Sequence, residues 1–334
     1  MEAQMNDIFF DRTDRILDEL SQMTSWTPIS IQDVDEIPKG DMPGDVIRIE
    51  PGHIKKAQLI FPKMIELVIP VIKENPFKRA VISICGGSGV GKSETASLLS
   101  YYLNQTGLGT YTLSGDNYCN RIPKYNDAER LRIYRYNGII GLIINGQYSA
   151  EVRGKLKELQ EEGKDADPGL IKELPWLSFY QEAGRRGLKN YLGTSNEINF
   201  SELNSIIARF KSGEPQIYLR RMGREETELW YDPVDFSDKN ILIIEWTHGN
   251  NQNLQGIDIP ILLSSTPQET LEHRRARKRD KGVDSPFTTT VLDLEQELLI
   301  SQAKYAKLIV SKGGEFLSYR EYIRVMLQEW VAEA

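Results

Sequence analysis

Residues 80–103 read AVISICGGSGVGKSETASLLSYYL: an apolar run, then glycines at 86, 87, 89 and 91, then Lys92 and Ser93 opening a helical stretch. The unbroken apolar run predicts a strand buried on both faces, which is the habit of a parallel sheet covered by helices. Gly86, Gly87, Ser88, Gly89, Val90, Gly91, Lys92 and Ser93 fit G-x-x-x-x-G-K-[ST], the phosphate loop. Glycines let backbone N–H groups converge on phosphate oxygens, and the following helix turns its positive end to the same anion. Lys92 is expected to reach the β- and γ-phosphates, and Ser93 to hold Mg²⁺. Glu94 is included with the nucleotide-binding residues. The bland alternative is a glycine-rich turn between strand and helix.

A phosphate loop serves kinases, GTPases and motor ATPases alike. The chain has no clear N/T-K-x-D tetrad and no strand that ends in an acidic pair. Two carboxylates point to kinase chemistry. Asp116, in TLSGDNYCN, follows a second strand, so it should face the crevice at the carboxyl edge of the sheet. It could orient an acceptor hydroxyl or bind Mg²⁺ through water; a plain Asp-Asn turn is the alternative. Glu245 ends the buried run ILIIE and should support the metal, or else meets solvent. His248, three residues on, reads either as a substrate contact or as a loop residue. Arg121 and Lys124 could pair with an anionic acceptor, as could Arg220, Arg221 and Arg224. The stretch TLEHRRARKRDKG (270–282) is a charge run, usually a solvated face. After the strand IPILLSS it predicts a basic lid in which Arg275, Arg277 or Arg279 meets nucleotide or transferring phosphoryl charge.

The alternation of strands and helices from Arg79 onward predicts an α/β fold, a mainly parallel sheet with helices on both sides. Its strands are the runs around 80–86, 109–117, 240–246, 257–265 and 306–312. The first 75 residues read as a helical extension: an amphipathic helix over 5–22, a Pro/Gly/Asp-rich loop, and a helical stretch from about 53 to 74 interrupted by Pro62 and Pro70. No chemistry is assigned to this extension. Charged helical sequence at about 140–197 reads as an insertion, so residues 76–334 form one kinase domain carrying it.

With 41 basic and 48 acidic residues the formal charge is −7, which argues against general nucleic-acid binding. Two cysteines, Cys85 and Cys119, make no disulfide framework and suit a reducing cytoplasm. The N-terminus lacks a signal-peptide pattern, and the most apolar window is too short and too polar to span a membrane. His53, His248 and His273 show no zinc-ligand spacing. A homodimer is compatible with these features.

The order of parts resembles the uridine kinase and phosphoribulokinase group of phosphate-loop kinases, over roughly residues 79–138 and 197–316. The resemblance rests on the phosphate loop, on Asp116 with Tyr118 two residues on, and on INFSELNSIIARFKSGEPQIYLRR. Glu245 and the RARKRD segment complete it. It implies a three-layer P-loop fold, ATP, Mg²⁺ and a small hydroxyl acceptor. It makes Asp116 the base, and it places Tyr118, Tyr218 and Arg220 near the acceptor. The chain departs from the group at Tyr218-Leu219, where the group has Tyr-Asp, and at Glu245-Trp246, where it has Glu-Gly. LSGDN also resembles the Asp-Gly-Asp-Asn motif of adenylylsulfate kinases. Two further readings therefore stand beside the kinase of a small anionic or sugar-like metabolite: an adenylylsulfate kinase, and a nucleotide-gated regulatory protein without phosphotransfer.

Overall fold

The computed structural model describes residues 2–22, 26–28, 30–31, 33–277 and 285–333. Five strands carry the predicted parallel core: β1 (Ala80–Gly86), β2 (Thr110–Ser114), β5 (Ile241–Glu245), β6 (Ile259–Leu263) and β7 (Leu308–Val310). Between them in the chain, β3 (Gln216–Met222) and β4 (Leu229–Asp235) form a separate antiparallel hairpin. A short β8 (Phe316–Leu317) adds an antiparallel edge, giving the order β2-β5-β1-β6-β7-β8.

The unbroken apolar runs follow from this topology. Ile82 and Ile84 of β1 join a core with α2 (Pro51–Glu74) and α3 (Lys92–Gln105), while Cys85 faces a second core with Leu299, Tyr322 and Met326. Both faces are apolar because both are covered. Both cysteines are free thiols.

The chain divides into two compact units. The first holds residues 1–118, 200–266 and 299–334, and with them the sheet, the hairpin and the whole N-terminal extension. The second holds 119–199 and 267–298. The boundaries expected from sequence are at 75 and at about 140–197. α4 (Pro123–Ile144) runs straight through 140 and packs with α6 (Leu177–Lys189) around buried Tyr134, Leu142 and Tyr180. Charge density marked only the polar middle of this helical unit.

The extension is part of the main core. α2 is continuous through Pro62 and Pro70. Each interior proline costs about 3 kcal/mol or more. Ile60, Phe61, Met64, Ile65, Val68 and Ile72 are all buried, and each contributes roughly 1.5–3 kcal/mol. Burial therefore outweighs the two breaks. Among the described residues no helix is long and apolar enough to cross a membrane.

Candidate active site

β5 lies between β1 and β2, so the carboxyl ends of three parallel strands stand side by side. Glu245 is in register with Ser114 on one neighbour and Ile84 on the other. That register brings the second acid to the phosphate loop, although 152 residues separate Glu245 from Ser93. Ser93 Oγ donates to Glu245 Oε2 at 3.1 Å, and Ser114 Oγ donates to Oε1 at 3.1 Å. Lys92 opens α3, and its Nζ donates to the Gly87 carbonyl at 3.1 Å, lying across the loop it belongs to.

Glu245 is buried, and burial pushes its carboxyl up to about 7. Lys92 pulls it down, Asp116 pushes it up, the Ser93 hydrogen bond lowers it and Asp45 raises it. Because the folded state holds this proton more tightly than the unfolded chain, the stabilisation is full below the ordinary carboxylate range. It is lost as pH rises through about 7. Glu245→Gln removes that dependence. From pH 5 to pH 8 the variant should gain stability relative to wild type, by up to about 3 kcal/mol. Urea midpoints at the two pH values measure this, and parallel curves would mean that Glu245 does not titrate there.

Asp116 sits in a single 3₁₀ turn, Gly115–Tyr118, directly after β2. Gly115, Asn117 and Tyr118 are buried, whereas Asp116 is exposed. The Trp246 indole packs on Gly115 and edge-on against His248, 5.1 Å between centroids. Trp246, where the resembling group has glycine, thus forms the floor under the Asp116 turn. His248 is buried as well.

Gly86 ends β1 where the loop begins. A Cβ there would stand 2.5 Å from the Leu263 carbonyl oxygen and 2.8 Å from Val90, at a φ of +153°. Backbone of a paired strand cannot step aside. Gly86→Ala should destabilise by about 1–3 kcal/mol and weaken ATP binding. Thermal unfolding and nucleotide titration check this; unchanged values would mean that the loop start is pliable. Ser88 and Gly87 are half-buried, Gly89 and Val90 buried, and Glu94 is buried in the first turn of α3.

Several expected contacts come out differently. Tyr118 is fully buried beneath the Arg220 guanidinium, 5.2 Å from its ring, so it shapes the site from below and offers no surface to an acceptor. Arg220 is buried: Nε donates to the Asn117 carbonyl at 2.6 Å, and Nη1 lies 3.6 Å from Glu202. Arg221 is paired with Asp41 at 2.8 Å. Tyr218 is 56% exposed on the hairpin. Arg121 and Lys124 belong to the second unit, where Arg121 donates to the Tyr191 hydroxyl at 3.0 Å and Lys124 lies over Tyr125. Arg275 is in α8 (Leu271–Arg277) of that unit, 3.1 Å from Glu272. Arg277 is the last residue of α8, and Arg279 lies outside the described residues.

Three residues of the extension, to which the sequence assigns no chemistry, also stand out. The Asp41 side chain is buried against the end of β2, and Asp45 raises the Glu245 carboxyl. His53 accepts from the Glu50 N–H through Nδ1. Its Cδ2 and Nε2 lie 3.0 Å from where a Cβ on Gly91 would stand. No motif announces them; a loop at sequence distance 73 from Ser114 carries no local signal of the contact.

Magnesium takes oxygen ligands and keeps several waters. Ser93 Oγ and the Glu245 carboxylate form such a donor pair, and a cation would relieve the burial of that acid. Among the described residues no group of three or more His, Cys, Asp or Glu is placed to hold a metal ion.

No family model matches the chain. A bifunctional alpha-galactosidase/sucrose kinase, AgaSK, of Mediterraneibacter gnavus is 40% identical over 240 residues, 72% of this chain. The chain spans only 21% of that protein's length. Among solved structures, D-glycerate 3-kinase from Cryptococcus neoformans var. grubii serotype A has a TM-score of 0.43 at 12% identity, covering 78% of this chain and 98% of its own. A possible uridine kinase from Bacillus stearothermophilus has a TM-score of 0.37 at 14% identity, covering 74% and 98%.

Proposed function

We propose that the chain is an ATP-dependent small-molecule kinase of the uridine kinase and phosphoribulokinase kind, transferring the γ-phosphate to a hydroxyl of a sugar-like metabolite. The observation that carries the reading is the meeting of Lys92, Ser93 and Glu245 at the carboxyl ends of adjacent strands, with exposed Asp116 directly after β2. Glycine N–H groups and Lys92 hold the phosphates. Ser93 and Glu245 would hold Mg²⁺, which would neutralise phosphate charge when bound. Asp116 accepts a hydrogen bond from the acceptor hydroxyl and takes its proton as the new bond from the acceptor oxygen to the γ-phosphorus forms and the bond from that phosphorus to the β,γ-bridging oxygen breaks, with ADP as the leaving group.

A phosphate loop serves phosphotransfer and not glycoside hydrolysis. The kinase half of the 40% identical relative's name is therefore the half that suits this chain. A sugar-like acceptor is favoured over an anionic one by the hairpin. Tyr218 and Tyr231 are exposed on one of its faces, and the Tyr231 hydroxyl donates to Glu202 at 2.9 Å. Aromatic faces with a few placed polar groups suit a polyol ring. Arg220 and Arg221, counted earlier toward an anion, already have protein carboxylates beside them.

The test is ADP release from Mg²⁺-ATP in the presence of sucrose, monosaccharides, glycerate, uridine and adenylylsulfate, with the product identified by mass. A phosphorylated sugar supports the reading. Phosphorylated adenylylsulfate would restore that rival, and ATP binding without transfer to any acceptor would favour the regulatory one.

A further inference from the structure

We infer that Asp41, in the loop before α2, is a positioning residue that holds the Asp116 turn against the acceptor hairpin, so that the N-terminal extension is a working part of the phosphotransfer site. This rests on the kinase reading above. The carboxylate takes donors from three separate segments. Asp41 Oδ1 accepts from the Ser114 N–H at 2.7 Å and from Asn117 Nδ2 at 3.1 Å. Asp41 Oδ2 accepts from the Tyr111 hydroxyl at 3.0 Å and from Arg221 Nη1 at 2.8 Å. Arg221 Nη2 in turn donates to the Tyr111 hydroxyl at 2.9 Å, closing a ring of contacts.

Asn117 is the residue after Asp116, and the network fixes it on several sides. Its Nδ2 is held by Asp41, its Oδ1 accepts from the Met222 N–H at 3.0 Å, and its carbonyl accepts from Arg220 Nε at 2.6 Å. Ser114, held by the same carboxylate, is also the residue whose hydroxyl donates to Glu245. One buried carboxylate therefore links β2, the Asp116 turn and β3, while Asp116 itself stays exposed. The Asp41 side chain is 7% exposed and that of Arg221 is 9% exposed. Burying such a pair rarely adds net stability over an apolar pair of similar shape. Holding the acid-bearing turn at a set distance from the acceptor face is the use that the geometry points to. A misplacement of about 1 Å in such a site can reduce rate roughly 10²-fold.

The experiment compares wild type with Asp41→Ala and with the double variant Asp41→Ala/Arg221→Met, which leaves no buried charge alone. Amide hydrogen exchange and turnover are both read. In the double variant the melting temperature should recover relative to the single variant, yet exchange at 114–118 should be about 10-fold or more faster than in wild type. The acceptor KM should rise and kcat should fall about 10–100-fold, with the ATP dissociation constant unchanged, because none of the four donors to the Asp41 carboxylate belongs to the phosphate loop. A folded double variant with wild-type exchange at 114–118 overturns the inference, and so does one with wild-type kcat and acceptor KM. A fall in ATP affinity equal to the fall in turnover would show general damage and also overturn it. The exchange measurement needs no acceptor. If wild type transfers phosphate to nothing, the kinase reading fails by itself while exchange still decides whether Asp41 holds the turn.

Discussion

Asp116→Asn is expected to lower kcat by roughly 10²–10⁴, the span of a lost general base, with ATP affinity nearly kept. The amide keeps the shape of the carboxylate. The turn stays pinned by its buried neighbours Gly115, Asn117 and Tyr118, so geometry is not the variable. What goes is the charge and basicity of the one exposed side chain in that turn. A second effect has a defined sign. Asp116 helps push the Glu245 carboxyl up, so the variant should let Glu245 ionise at lower pH, and Mg²⁺ dependence measured near neutrality should weaken. Steady-state kinetics with the identified acceptor, together with calorimetric ATP titration, separate the two. Wild-type kcat in Asp116→Asn would reduce Asp116 to a turn residue and move the base elsewhere, with Glu245 the next candidate.

Lys92→Ala is expected to reduce turnover by about 10²–10³ or more, as loss of a charged donor to the transferring phosphoryl group should. The fold should survive. Lys92 is half-buried, its ammonium contacts the Gly87 carbonyl of its own loop, and α3 is anchored by Leu98, Leu99, Tyr102 and Leu103. Lys92 also pulls the Glu245 carboxyl down. Its removal should leave Glu245 more protonated at neutral pH and a poorer partner for Mg²⁺, so turnover should recover partly as pH is raised. Rates from pH 6 to 9, alongside thermal unfolding, check both statements. Near wild-type turnover would remove the phosphate loop from the chemistry.

The two acids illustrate how local information turns into a site. Each was legible because an apolar run ended in a polar residue, and a parallel sheet puts such ends on one edge. The 3.1 Å bond between Ser93 and Glu245 needed strand order as well, since only β5 beside β1 brings them together. Phosphate-loop chemistry was legible for the same reason: eight consecutive residues carry it, and backbone conformation there depends on glycine itself.

The extension reads the other way. Its loop has no periodicity, and Pro62 and Pro70 argued for a broken helix, yet α2 runs unbroken because its apolar face is buried. Along the chain Asp41 and Asp45 look like ordinary polar loop residues, and His53 like a polar residue in the first turn of a helix. Only tertiary packing gives Asp41 four donors and lays His53 on Gly91. Arg220 and Arg221 mark the same limit from the opposite side. In sequence they are two cations beside an acceptor tyrosine; in the fold, alternation along β3 sends one toward Tyr118 and Glu202 and the other toward Asp41. The sequence by itself determined the strand–loop–helix to which phosphate binding is assigned by proposal, because its residues are contiguous and its physics is backbone physics. Tertiary structure alone decided which distant charges meet, because a buried charge's partner is set by register and packing across the sheet, and nothing local encodes either.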